Sequence, residues 1–225
     1  GVIEEPDFIR HYNWMTFSTC DPRFGIPYPG RKPGQLIANF IWMYTDEEDL
    51  VVDPMAGGGT TIDVCAFLNR ECLAYDIKPS RPDIQLWDVS AGIPLEAHGA
   101  QLVYLDPPYW NVVEYEKGSS ILNIESFVEW CEKLIHDAAK AVKVGGFVAV
   151  TTMSQYFKLP DDFKDGYIDW PILTYQFMLE ANLRPWNRIA STEPVTSFTG
   201  YDMERAKEGC YTLPILYDTV IMRRM

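Results

Sequence analysis

Leu50-Val51-Val52 runs straight into Asp53-Pro54-Met55-Ala56-Gly57-Gly58-Gly59-Thr60-Thr61, after which Ile62 to Leu68 takes up helical spacing. A short apolar strand, a glycine turn and a helix start form the opening of a strand–helix–strand unit, so the chain is expected to be an α/β protein. The pattern recurs. Cys72-Leu73-Ala74-Tyr75 reads as a second strand, ending in Asp76, and Leu102-Val103-Tyr104-Leu105 as a buried strand ending in Asp106-Pro107-Pro108-Tyr109. Strands without polar alternation are covered on both faces. The expected architecture is a mostly parallel open sheet with helices on both faces.

The remaining chain fits that plan. Residues 33 to 44 read as a helix with Leu36, Ile37, Phe40, Ile41 and Tyr44 on one face. From Glu125 to Val144 apolar residues keep helical spacing, and Gly145-Gly146 is expected to end that helix before a strand over Phe147 to Thr151. Tyr167 to Asn182 is expected to be helical, with strands following near Leu183 to Ile189 and Leu213 to Met222. Neither repeat nor flexible linker interrupts the sequence, so residues 1–225 are expected to form one domain, with 1–27 as an N-terminal extension. A hydrophobic content of 47% suits a soluble globular protein. There is no apolar run of membrane-spanning length and no signal peptide at the start. The five cysteines are scattered without metal-ligand spacing, which predicts reduced thiols in a cytoplasmic protein and no metal site. His11, His98 and His136 show no partner pattern.

Two strand ends carry chemistry. Asp106 to Tyr109 places a carboxylate, two rigid prolines and an aromatic at the end of a buried strand, a preset clamp for a flat ring bearing an amine. The lone pair of such an amine is delocalised into its ring. Asp106 and a neighbouring carbonyl can accept hydrogen bonds from the amine, draw its nitrogen toward tetrahedral geometry and stabilise the developing positive charge. An electrophile is needed in line. The glycine turn offers a place to hold one, since glycines let a ligand approach the backbone. Asp76, about 20 residues further on, is placed to bind ribose hydroxyls. The turn lacks the three spaced glycines of a dinucleotide site and the lysine of a phosphate loop.

At this point the sequence resembles a known family. Asp53 to Thr61 is similar to the S-adenosylmethionine-binding motif of amino-group DNA methyltransferases, usually Asp-Pro-Phe-x-Gly-Ser-Gly-Thr, and Asp106 to Tyr109 to their catalytic tetrapeptide. Tyr28-Pro29-Gly30-Arg31-Lys32-Pro33-Gly34-Gln35-Leu36 resembles the His-Pro-x-x-Lys-Pro-x-x-Leu element that precedes the cofactor strand. The departures are Met55 for phenylalanine, Gly58 for serine and Tyr28 for histidine. The resemblance implies a Rossmann-like methyltransferase fold, S-adenosylmethionine as cofactor, and a base flipped out of its stack. It implies that Asp106 and the Pro107 carbonyl accept from the target amine, with Pro108 completing the clamp and Tyr109 stacking on the base. It assigns to the cofactor Lys32 and Pro33, Asp53, Pro54, Met55, Ala56, Gly57, Gly58, Gly59 and Thr60, then Asp76, Ile77, Asp88 and Val89. Trp110, Asn111 and Tyr115, in the loop after the clamp, are assigned to the substrate. Bland alternatives stand beside four of these: Asp53 ordering the turn, Asp76 as a helix or turn cap, Asp88 in a plain turn or helix start, and Lys32 as an exposed lysine.

Asp in the first clamp position favours adenine N6 in DNA. The alternatives are cytosine N4, RNA, a protein glutamine, or a non-catalytic subunit of a nucleic-acid-modifying complex. A net charge of −13 and a pI near 4.6 are wrong for holding nucleic acid unaided, because phosphate contacts dominate that affinity. The cations are local: Arg31 and Lys32, Lys78 and Arg81, Arg184 and Arg188, Arg205 and Lys207. Nothing resembling a target-recognition domain follows Tyr109. Target choice is therefore expected to reside in the loops 110–123 and 191–211 or in a partner subunit.

Overall fold

A computed structural model describes residues 3–108, 124–158, 165–192, 200–208 and 215–225. Its strands are β1 (Trp14–Thr16), β2 (Leu50–Asp53), β3 (Glu71–Asp76), β4 (Gln85–Leu86), β5 (Ala100–Leu105), β6 (Val142–Thr152), β7 (Gln155–Lys158), β8 (Asp165–Ile168), β9 (Leu183–Thr192) and β10 (Leu216–Arg224). The helices are α1 (Gly34–Tyr44), α2 (Thr60–Phe67), α3 (Ile124–Ala141), α4 (Trp170–Glu180) and α5 (Gly200–Glu208). Eight strands form one sheet in the order β1-β9-β10-β6-β5-β2-β3-β4. β10 runs antiparallel to β6 and β9, and every other pairing in that sheet is parallel. β7 and β8 pair separately as antiparallel neighbours.

Period-two alternation decides which helix each strand residue meets. Val51, Leu102, Tyr104, Phe147 and Ala149 face the layer that holds α1 and α2, where they pack with Leu36, Phe40, Ile41 and Val64. Val52, Val103, Leu105, Val148 and Val150 face the other layer, against α3 and α4, including Phe127, Leu134, Trp170 and Phe177. Each fully buried side chain of this kind contributes about 1.5–3 kcal/mol. With both faces covered, the uncovered parts of the central strands are their ends. β2 connects through α2 to β3 on one side, whereas β5 connects toward β6 on the other. The carboxyl ends of β2 and β5 therefore meet at a switch point, the place where open α/β sheets bind ligands.

Some boundaries differ from expectation. The helix expected up to Val144 stops at Ala141, and Gly145-Gly146 lies inside β6. Val142-Lys143-Val144 keeps helical spacing, but its β-branched residues enter the sheet, where the register beside β5 jumps from Ala100↔Val142 to Leu102↔Phe147. Gly145 takes φ +85, and a side chain on Gly146 would come 2.7 Å from the Gln101 carbonyl. Tyr167 belongs to β8; α4 starts at Trp170, capped by Asp169, whose carboxylate accepts from Ile172 N at 3.2 Å, with a proline in its first turn. The expected loop 191–211 contains the end of β9 and all of α5. Within the stretch expected as an N-terminal extension, β1 pairs with β9, and Met15 and Phe24 are buried in the α1 layer. Among the described residues no helix is long and apolar enough to cross a membrane, and Cys20, Cys65, Cys72 and Cys131 are free thiols.

Candidate active site

Four carboxylates line the carboxyl edge of the sheet in strand order: Asp106 after β5, Asp53 ending β2, Asp76 ending β3, and Asp88 beyond β4. Asp53 is 4% exposed and works on the turn itself. It accepts from Met55 N at 3.0 Å and from the Thr61 hydroxyl at 2.5 Å, closing the turn onto the first residues of α2. Burial pushes its carboxyl up to about 7 against those two hydrogen bonds, and the charges of Asp106 and Asp76 add to the rise. Its folded pKa is raised, so the stability it contributes is full below pH 4 and is lost as pH rises through about 7. Asp53→Asn is therefore expected to flatten the loss of stability between pH 5 and pH 8 in urea unfolding. An unchanged pH dependence would show that this carboxyl titrates normally.

Asp76 is also buried, and binds the turn from the other side, accepting from Gly57 N and Lys78 N, each at 2.9 Å. Ala56 N donates to Tyr75 O at 2.9 Å, and the Ser80 hydroxyl donates to Gly57 O. The turn is held to β3 by backbone and side chains together. Gly57 takes φ +49, and a Cβ there would meet the Tyr28 ring at 2.9 Å. Gly59 takes φ +77 as the residue before α2, and Gly58 is crowded by the Ile26 carbonyl. A strap from the N-terminal stretch thus lies on the turn: Ile26 N donates to Gly58 O at 2.9 Å, and Gly25 N to Asp63 Oδ2 at 2.6 Å.

Arg81 fixes the same corner. Its guanidinium bridges Asp63 of α2, with bonds of 2.7 and 2.8 Å, and Asp83. Two carboxylates raise its already high pKa further. Arg81→Met is expected to loosen the turn and to weaken any ligand held there by about tenfold, measured by calorimetry; this takes a partly exposed bidentate pair at the upper end of its usual range. Unaltered affinity would show that the turn keeps its shape without the clamp.

Pro54, Met55, Ala56 and Thr60 lie in or beside this turn, and Pro33 precedes α1, its carbonyl accepting from Leu36 N at 3.0 Å. Ile77, 60% exposed, follows β3, and Leu86, 74% exposed, registers opposite Asp76. Asp88 caps a single helical turn, accepting from Ser90 N at 2.9 Å, so the helix-start role is met in the structure. Val89 packs partly buried on the α3–α4 core rather than standing in the cleft.

Pro107 and Pro108 line one wall of an apolar pocket whose other walls include Phe127, Cys131, Trp170 and Phe177. Asp106 pairs with Lys32, Nζ to Oδ2 3.1 Å. Lys32 is only 5% exposed, which overturns the reading of an exposed lysine. Tyr109, Trp110, Asn111 and Tyr115 lie outside the described residues. So do Phe198 and the side chains of Tyr201 and Arg205. Three residues that matter here escaped the sequence reading as site residues: Arg81, Ser80 and Tyr217, whose ring faces Lys32 Nζ at 4.3 Å. No local motif marks them.

Among the described residues, Glu132, His136 and Glu180 bring donor atoms within 4.8 Å of one another on α3 and α4. Lys140 and Arg224 line the same hollow as His136 and Glu180, at the edge of the sheet away from the clamp.

Of the cations named from the sequence, Lys32 pairs with Asp106, Arg81 with Asp63 and Asp83, and Arg188 with Asp218.

The Type II methyltransferase M.HpaI of Haemophilus parainfluenzae is 41% identical over 51 residues, which is 23% of this chain and 16% of that protein. TrmN from Thermus thermophilus superposes with TM-score 0.55 at 13% identity, over 88% of this chain and 50% of that one. A SAM-dependent methyltransferase from Methanosarcina mazei gives TM-score 0.51 at 10% identity, over 83% of this chain and 97% of that one. These two likenesses establish the Rossmann-like methyltransferase fold. Residues 12–85 and 100–209 match the DNA methylase family, and the chain belongs to that family of N6 and N4 methyltransferases.

Proposed function

We propose that this chain transfers a methyl group from S-adenosylmethionine to the exocyclic amine of a nucleic-acid base, adenine N6 in DNA. The observation that carries the reading is the row Asp106–Asp53–Asp76–Asp88 across the switch point of the sheet, with a glycine turn beneath it. That row suits the cofactor on physical grounds. Asp53 is raised mainly by burial, and the charges of Asp106 and Asp76 add to that rise; such a row of acids favours a cationic ligand. Asp76 would hold the ribose, the exposed Ile77 would pack on the adenine, and Asp88 would accept from the adenine amine. When bound, the cofactor supplies an electrophilic methyl on a sulfonium.

The chain's own residues do the rest. Asp106 and the Pro107 carbonyl accept the two amine hydrogens and pull the nitrogen lone pair out of the ring plane. So held, the nitrogen would be ready to take the methyl that the bound cofactor would supply, and the extra proton would then leave the amine to solvent. No cysteine takes part. The two proline rings restrict the backbone that carries the acceptors, so little reorganisation is needed as charge develops.

Asp rather than Ser or Asn at position 106 supports adenine N6, and the family supports DNA. The paired cations support a partner subunit that supplies phosphate contacts and target choice. Expression in a host without methyltransferases, followed by nucleoside mass spectrometry of its DNA and RNA, tests the reading. N6-methyldeoxyadenosine is the expected product. N4-methyldeoxycytidine would correct the base, N6-methyladenosine the nucleic acid. Absence of all three would sink the proposal for the chain acting without a partner.

A further inference from the structure

Lys32 is the buried cation of this site. Its ammonium lies 3.1 Å from Asp106 Oδ2, 3.2 Å from the Gly30 carbonyl and 4.3 Å from the centre of the Tyr217 ring. Taking an ammonium out of water costs several kcal/mol, and a carboxylate, a carbonyl and an aromatic face together offset it. The three partners come from separate places: the end of β5, the segment before α1, and β10. Such a site asks what the cation does there.

Asp53 and Tyr104 both feel the charge of Asp106. In general, neighbouring negative charge disfavours an ionised carboxyl and a cation favours it. A protonated carboxyl has an O–H to donate and turns it toward the nearest acceptor, which is the wrong polarity for an amine that must be drawn out of its ring. A carboxylate free to rotate would also lose its alignment with the Pro107 carbonyl. Lys32 opposes both changes, since it favours the charged form and fixes one oxygen.

We propose that Lys32 is a positioning residue for methyl transfer, which keeps Asp106 ionised and oriented toward the exocyclic amine, with the Tyr217 ring holding the ammonium in place. This rests on the reading of Asp106 as the acceptor for the target amine. It moves Lys32 from cofactor ligand, the role implied by the sequence resemblance, to partner of the clamp.

Two measurements on the full chain test it. In steady-state methyl transfer to DNA, Lys32→Met is expected to lower kcat by at least about thirtyfold while KM for DNA and the calorimetric Kd for S-adenosylmethionine stay within about threefold. Lys32→Arg restores the charge with poorer fit and is expected to recover part of that loss. A Lys32→Met kcat within threefold of the wild type would overturn the proposal. So would a fall in cofactor affinity that matches the fall in rate, because Lys32 would then be a cofactor ligand.

The second measurement needs no turnover. The 15N-labelled ammonium of Lys32 is expected to give a slowly exchanging signal that moves in Asp106→Ala. A signal insensitive to Asp106 would overturn the pairing even if the substrate were not DNA. Conversely, a wild-type chain with the shifted signal but no transfer to nucleic acid would refute the substrate reading and leave the pairing intact.

Discussion

Asp106→Ala is expected to reduce methyl transfer by about 10²–10³-fold while leaving S-adenosylmethionine affinity within about threefold. The reason is positional. Asp106 follows β5, where the target amine is expected, whereas the cofactor is expected over β2, β3 and β4. Loss of this acceptor removes charge stabilisation from the transition state alone. A second consequence follows from the ion pair: the variant leaves Lys32 buried with a major partner gone, and stability is expected to fall by about 3 kcal/mol. Adding Lys32→Met to Asp106→Ala is expected to return most of that stability and none of the turnover. Urea unfolding and a methyl-transfer assay on the two single variants and the double variant separate the effects. Full activity in Asp106→Ala would show that the clamp is elsewhere.

Gly57→Val is the mirror case, with cofactor binding weakened by about 100-fold, on the order of 3 kcal/mol. Gly57 sits at φ +49, a region that costs a β-branched residue heavily, and its missing Cβ faces the Tyr28 ring at 2.9 Å. The backbone has no room to give, since Gly57 N is bound by Asp76 and Gly57 O by Ser80. The variant must shift either the turn or the strap of residues that covers it, and both border the expected cofactor site. Calorimetric titration with S-adenosylmethionine reads the effect directly. Wild-type affinity in Gly57→Val would remove the glycine turn from the cofactor site.

The architecture was legible where the sequence pattern is local. Apolar runs ending in Asp53, Asp76 and Asp106 gave the parallel strands, and the order of those strands puts the acids in a row. Alternation of Leu102 and Tyr104 against Val103 and Leu105 follows from strand geometry alone. The misplaced boundaries arose where local patterns compete. Val142-Lys143-Val144 continues a helical face yet enters the sheet, and Gly145-Gly146 resembles a helix stop although it serves a strand irregularity. Tyr167 fits the helical face that follows it, but pairs across β7 instead. In these segments long-range pairing overrode a spacing that was itself correct.

The site was legible in its acids and less so in its cations. Lys32 reads as a charged residue before a helix, and only the fold brings it against Asp106 and Tyr217. Arg81 carries no motif, and its role becomes visible once Asp63 and Asp83 close around it. Cations distant in sequence from their partners leave no spacing to read. The strap is similar: Tyr28 was noted as a departure from a histidine, and its contact with Gly57 depends on a chain reversal that no local signal announces.

The most direct test of the whole account is transfer of labelled methyl from S-adenosylmethionine to unmethylated genomic DNA by the purified chain, with Asp106→Ala in parallel. The account predicts label in DNA with the wild-type chain, and a loss of about 10²–10³-fold in the variant at equal cofactor occupancy. Equal label from the two proteins would contradict the assignment of Asp106. Cofactor binding without any label, in the presence of DNA, would contradict the claim that this chain methylates nucleic acid by itself.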